Sequence, residues 1–481
     1  MAYDYDVIIL GSGPAGFSCA MQSTKFDKNV LIVEADTSRL GGTWLHKGTV
    51  PSKALREAAN LIQKFHAQFG DEKGRKPYEK FRMEDLLLYK KTILESKNKK
   101  VKRDIIKNKI DTARGRGTIL DEHTVEVSDH LNKVQTYTAD HILISTGSSP
   151  KEPDNFEIDH KNVLDYDSIL GLTHIPRRLV IVGSGVIAFE YATIFAALGT
   201  RITILSDTSD ILTFLDSEIK DELVHILNKR NIQIFWESEV KSVSRNALRT
   251  CMEVAFKQND TDRMQVSETD HILYVGGKKP NTESLWSDKL DIEVDEFGYI
   301  SADDSLRTTV PSIYAAGDVI GNPSSAAASF VQGRLASCAM FDMPNESPSG
   351  DTPFGIYSIP EIAAIGLTEQ KAKEMGIDVT VGRAQYQNTT QADVSYETEG
   401  LLKLVFKTDD LKLIGVHIIG SQATDLIHLG QAVMSNEGSI KYFIENVLNY
   451  PTYSEAYRIA AFNGVNRVYQ AGVKYKKILN R

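Results

Sequence analysis

The sequence predicts an α/β protein: two parallel βαβ units in one chain, then a C-terminal α+β domain. Three observations carry this. A β-branched run, Tyr5–Leu10, leads directly into Gly11-Ser12-Gly13-Pro14-Ala15-Gly16. A second run, Arg178–Val182, leads into Gly183-Ser184-Gly185-Val186-Ile187-Ala188. From Asp351 the pattern shifts to strand-like runs such as Leu401–Phe406 and Leu413–Ile419, with helical stretches such as Ala423–Met434. A length of 481 residues suits about three domains.

In the first unit the glycine turn opens a helical stretch, Ala15 to Phe26, and a second strand follows at Asn29–Glu34. This is the strand–turn–helix–strand context that a Rossmann-like dinucleotide fingerprint requires. Gly11 permits the tight turn, Gly13 lets backbone approach a pyrophosphate, and Gly16 lets the helix pack close to the sheet. Pro14 lies in the turn and Ala15 begins the helix, whose free N–H groups and positive dipole end favour an anion. Glu34, closing the second strand, can accept hydrogen bonds from two ribose hydroxyls.

The second copy repeats this logic with helix 187–198 and strand Arg201–Leu205. Alanine at its third position, Ala188, still permits close packing. Two fingerprints imply two bound dinucleotides. Specificity of the second stays open. Its strand ends on Ser206 rather than a carboxylate, and Asp207, Thr208, Ser209 and Asp210 follow where a 2′-phosphate would favour arginine or lysine. An acidic loop repels a phosphate, so the balance leans toward NAD(H) over NADP(H).

Bulk composition narrows the class. Hydrophobic residues make up 42% and charged residues 25%, which suits large cores. A net charge of -9 argues against a nucleic-acid partner. Cys19, Cys251 and Cys338 have no metal-ligand spacing and suggest a reducing compartment. No targeting segment precedes the first strand, so the expected location is cytoplasmic. The apolar stretch 179–199 carries Glu190 and a Gly-Ser-Gly turn, and reads as buried strand and helix rather than a membrane span.

Residues 41–53, GGTWLHKGTVPSK, carry a resemblance. They are similar to the segment next to the flavin in the pyridine nucleotide–disulfide oxidoreductases. LISTG at 143–147 and SIYAAGD at 312–318 resemble two further motifs of that family. The resemblance implies FAD at the first fingerprint and a nicotinamide nucleotide at the second. It implies cofactor contacts from Gly42, Thr43, Thr146, Gly147, Gly277, Gly317 and Asp318, with Gly183, Gly185, Val186, Ile187 and Ser206 on the second nucleotide. Helix Ala326–Ala339 would aim its N-terminus, at Ala326, toward the flavin. Lys53 would lie beside flavin N5, paired with Glu190. The C-terminal block would pair two subunits into a homodimer. The implied divisions are 1–155 for FAD, 156–275 for NAD(P), 276–349 for FAD again and 350–481 for dimerisation.

Departures from the pattern are as telling. The family's disulfide enzymes have two cysteines where this chain has Trp44 and Thr49. They have histidine where it has Tyr450, although the catalytic glutamate of that pair remains as Glu455. His417 reads as core, His428 as structural, and no cluster suggests a metal. Thiol chemistry is therefore not expected. The implied activity is hydride transfer from NAD(P)H to flavin and on to a second NAD(P)+, as in the transhydrogenase branch of the family. The alternatives are a diaphorase or oxidase feeding quinone or oxygen, and a non-catalytic flavin sensor. The charged stretches 66–80 and 95–110 are expected to be exposed and receive no function.

Overall fold

A computed structural model describes residues 3–69, 82–248, 250–259, 261, 263–344 and 351–470. Part of the charged stretch at 70–80 therefore lies outside the described residues, whereas 95–107 falls in the helix Met83–Lys107. The chain divides into two compact units.

The first unit joins Met1–Ala54, Leu86–Glu152 and Gly277–Pro348. Its sheet centres on Tyr5–Leu10, flanked in parallel by Val30–Glu34 and Val134–Ile144. Asp111–Arg114 extends one edge, and Ile313–Ala315 pairs in parallel with Val134–Ile144. Val7, Ile8 and Ile9 are fully buried. A strand covered on both faces needs such an uninterrupted apolar run. The helix Pro14–Ser23 packs against the helix Ala326–Met340 at very short range. A Cβ on Gly333 would lie 1.9 Å from the Ala15 carbonyl oxygen. Ser18 Oγ donates to Phe330 O at 2.6 Å, and Ser23 and Ser337 share a hydrogen bond at 2.8 Å.

The second unit joins Leu55–Asp85, Pro153–Gly276 and Ser349–Arg481. It holds an all-parallel sheet whose order runs Gln233–Phe235, Arg201–Leu205, Arg178–Val182, His271–Tyr274, Val163–Leu164. The helix Val186–Ala197 is mostly apolar, with Ala188 through Phe195 buried, as suits a helix enclosed by protein, and Glu190 and Thr193 are its buried polar side chains. The C-terminal part is an antiparallel five-stranded sheet, Phe354–Ile356, Glu361–Gly366, Leu413–Gly420, Leu401–Lys407, Val379–Gln385, with its own core. The expected α/β fold with a C-terminal α+β part is what the chain forms. Among the described residues no helix is long and apolar enough to cross a membrane, and 179–199 is a buried strand and helix.

Candidate active site

The first turn is built as its sequence requires. Gly11 has φ +98°, and a Cβ there would meet Ser145 O at 2.5 Å. A Cβ on Gly16 would lie 2.0 Å from the Gly11 carbonyl oxygen, so helix and turn touch through backbone. Gly13 faces open space, with nothing within 4 Å of a built Cβ. The turn thus leaves room for a pyrophosphate at the start of the helix Pro14–Ser23. Glu34 Oε2 accepts Ser12 Oγ at 2.5 Å and Ser12 N at 3.1 Å, which fixes the carboxylate beside the turn. Ser12 Oγ also accepts Gly41 N at 3.0 Å, tying the 41–53 segment to it. Gly42 lies against Gly13, since its Cβ would stand 2.7 Å from Gly13 Cα. Thr43 opens the short helix Thr43–His46, and Lys53 lies in the helix Thr49–Phe69.

Other expected contacts gather in the same unit. Thr146 Oγ1 donates to Asn281 O at 2.8 Å, and Asn281 Nδ2 donates back to Thr146 O at 2.9 Å. Gly147 has φ +71° and open space at its Cβ position, as does Gly277 at φ +125°. Gly317 N donates to Gln332 Oε1 at 2.8 Å. Asp318 accepts Ser148 Oγ at 2.9 Å and Lys278 Nζ at 3.0 Å, both on Oδ2. Burial pushes the Asp318 carboxyl up. The Lys278 charge, with hydrogen bonds from Lys278, Ser148 and Ser324, outweighs that and holds it below the usual carboxylate range. Ser325 caps the helix Ala326–Met340 by accepting Ala328 N. Lys278 was not among the expected site residues. A lysine after a Gly-Gly pair gives no periodic signal, and only the strand pairing of Lys278–Pro280 with Ser148–Pro150 brings it to Asp318.

The second turn repeats the geometry in the second unit. Gly183 has φ +114°, with Val275 O 2.9 Å from its would-be Cβ, and Gly185 again faces open space. Val186 and Ile187 start the helix, and Ala188 is fully buried. Ser206 is fully buried, with Oγ 2.8 Å from Ser184 Oγ. Glu190 is 6% exposed, and its Oε1 accepts Tyr357 N at 2.9 Å. Thr193 Oγ1 accepts Ile359 N at 3.0 Å, so one face of this helix holds the 357–359 loop. Arg56 binds the same loop, donating to Ser358 O at 3.3 Å and pairing with Glu361 at 3.1 Å. Tyr357 and Arg56 carried no sequence signal for this contact.

The positions expected to lack sulfur chemistry hold none. Trp44 packs edge-on to Phe330 at 5.5 Å between ring centroids, and its indole N–H is buried with no hydrogen-bond acceptor. Thr49 starts its helix. Tyr450 is exposed, its hydroxyl 2.6 Å from Thr390 Oγ1, and Glu455 Oε2 accepts Thr390 N at 3.2 Å. All three cysteines are free thiols. Cys19 is fully buried, and burial pushes its thiol up to about 12, which removes the nucleophilic thiolate. His417 is core, with Nε2 3.0 Å from Leu367 O, and His428 meets Gln431 at 2.9 Å. Among the described residues no group of three or more His, Cys, Asp or Glu side chains could hold a metal ion.

The two glycine turns thus share one design, each with room for a diphosphate at the start of its helix. The sequence matches the model of the pyridine nucleotide-disulphide oxidoreductases over residues 5–333 and that family's dimerisation domain over 352–461. The chain belongs to this family, and with it to the FAD- and NAD(P)-using oxidoreductases. It is 37% identical over 475 residues to the soluble pyridine nucleotide transhydrogenases of Marinomonas sp. and Pseudomonas putida, covering 97% of this chain and 99% of theirs. Two solved structures share the fold. The HOCl-induced flavoprotein disulfide reductase RclA from Escherichia coli aligns with a TM-score of 0.84 at 24% identity, over 95% of this chain and 99% of that one. LpdA from Mycobacterium tuberculosis aligns with a TM-score of 0.86 at 22% identity, over 95% and 98%.

Proposed function

We propose that the protein moves hydride between two nicotinamide nucleotides, with FAD as its resident carrier and no disulfide step. The observation that carries this reading is the set Trp44, Thr49 and Tyr450 where thiol chemistry needs two cysteines and a histidine, beside two intact nucleotide turns. The likeness to soluble transhydrogenases supports it. When bound, FAD would supply a ring that accepts hydride from one nicotinamide and returns it to another.

The chain's own residues do the rest. Gly11, Gly13 and Gly16 shape a backbone cradle for one diphosphate, with Glu34 fixed to receive ribose hydroxyls. Asp318, kept ionised by Lys278, would accept a hydrogen bond from the cofactor's polyol. Lys53 would supply positive charge for the reduced ring. Gly183, Gly185 and the start of the helix Val186–Ala197 receive each nicotinamide nucleotide in turn. Both substrates then share one pocket, so the kinetics are ping-pong. Orientation supplies most of the rate and little acid–base chemistry is needed. The segment divisions 1–155, 156–275, 276–349 and 350–481, a homodimer through the dimerisation domain and a cytoplasmic location belong to this reading.

The test is anaerobic turnover of NADPH with thio-NAD+ by the purified yellow protein. Transfer without added dithiol is expected. Lys53→Ala should slow single-turnover flavin reduction severely with FAD retained; an unchanged rate removes the role given to Lys53. A second reading, electron delivery to quinone or oxygen, draws on the two aspartates of the 207–210 loop. Rapid bleaching by NADH and none by NADPH would favour it.

A further inference from the structure

The end of the strand Arg201–Leu205 begins a run of contacts that the proposed reaction does not use. Ser206 Oγ lies 2.8 Å from Ser184 Oγ in the glycine turn and 2.9 Å from Thr208 O. Thr208 Oγ1 donates to Asp210 O at 2.7 Å. Asp210 then pairs with Lys220 of the helix Ser217–Lys229, with Nζ 2.6 Å from Oδ2. The lysine side chain is 18% exposed and the aspartate 54%.

In a βαβ nucleotide unit, the end of the second strand meets the adenosine ribose. A carboxylate there binds the 2′-hydroxyl, and a nearby cation accommodates a 2′-phosphate. Here the strand ends on Ser206 with Asp207 next, and a lysine borders the loop but is already paired. Ser206 itself is buried and neutral and adds no charge at the strand end, so the charge balance there is set by the loop and its partner. The cation bordering the loop is Lys220, and its charge is held by an exposed aspartate. Such a half-exposed ion pair is weak. A dianionic phosphate competes well for the same ammonium through charge-assisted hydrogen bonds.

We infer that the Asp210–Lys220 pair is a specificity switch for the second nucleotide site. It stays closed over a nucleotide with a free 2′-hydroxyl and opens to place Lys220 on a 2′-phosphate. One pocket can then take NAD and NADP alternately, as exchange between them requires. The inference rests on the reading of Gly183–Ala188 as the nicotinamide nucleotide turn.

The experiment is calorimetric titration of oxidised, FAD-loaded protein with NAD+ and with NADP+, neither of which can reduce the flavin. Lys220→Met should weaken NADP+ about tenfold and leave NAD+ within twofold. It should also flatten the salt dependence of NADP+ binding. Asp210→Asn should strengthen NADP+ severalfold at unchanged NAD+ affinity. An unaltered NADP+/NAD+ ratio in Lys220→Met overturns the switch. If that variant binds neither nucleotide, Asp210→Asn decides, and no rise in its ratio overturns the proposal. Wild-type protein that binds neither nucleotide overturns the site reading and the switch with it. NAD+ binding without NADP+ binding in the wild type overturns the switch alone.

Discussion

The two glycine turns share a pattern and a geometry, yet their surroundings are held by different forces. Around the first, backbone meets backbone: Gly16 on Gly11 and Gly333 on Ala15 leave no space for a methyl group. Its strand ends on Glu34, locked to Ser12. Around the second, alanine replaces the third glycine and the strand ends on a hydroxyl. Its following segment is anchored by buried charge. Lys403 is fully buried and bonds Asp216 at 3.0 Å, Glu218 at 2.6 Å and Glu369 at 2.7 Å, with Arg383 also on Glu218 at 2.5 Å. The difference teaches that one fingerprint can serve two purposes. A turn closed by a carboxylate and tight packing suits a nucleotide that stays. A turn closed by hydroxyls suits one that must exchange.

The largest test of this contrast is Lys403→Met. It leaves three carboxylates facing each other with Arg383 and the exposed Lys373 in compensation, at a cost of about 3–5 kcal/mol. Denaturant unfolding should show the loss, whereas stability near wild type would mean the charge anchor is incidental. Gly16→Ala comes next. Its Cβ cannot avoid the Gly11 carbonyl, so about 3 kcal/mol of overpacking and loss of bound FAD are expected. The converse change, Ala188→Gly, should cost only about 1 kcal/mol through helix propensity. Equal effects at the two positions would erase the distinction between the turns.

At the strand ends, Glu34→Gln should lower FAD affinity about tenfold, about 1.4 kcal/mol. Ser206→Ala should change NAD+ binding by less than threefold. Flavin retention on dilution and nucleotide titration measure the two. The smallest effect is a pH dependence at Glu218. Burial raises its pKa, but hydrogen bonds from Arg383 and Lys403 lower it more, to about 2. A depressed carboxyl stabilises the fold above its ordinary pKa of 4.5, and that contribution is lost as pH falls from 4.5 toward 2. Glu218→Gln should flatten the fall in urea midpoint over that window. A slope equal to wild type would show that the carboxylate adds nothing there.

Much of the candidate site could be read from residues near one another in sequence. Each turn follows its strand at once and opens its helix, so the roles of Gly11, Gly16 and Gly183 are written in local order. Glu34 and Ser206 lie at a fixed distance along the chain from their turns. Asp318 was legible only within its motif, and its partner Lys278 was not. Tyr357, which meets Glu190 across 167 positions, was beyond reach for the same reason. So was Lys403, a lysine in an apolar strand that pattern alone assigns to solvent.

The sequence by itself determined the parallel units, the two nucleotide turns and the absence of sulfur at Trp44 and Thr49. These follow from backbone sterics, from the periodicity of burial and from side-chain chemistry, which act over a few residues. Only the tertiary structure decided which charges are paired: Lys278 with Asp318, Lys220 with Asp210, and Lys403 with three carboxylates. Charge pairing depends on distance in space and on exclusion of water, and neither exists until the chain has folded.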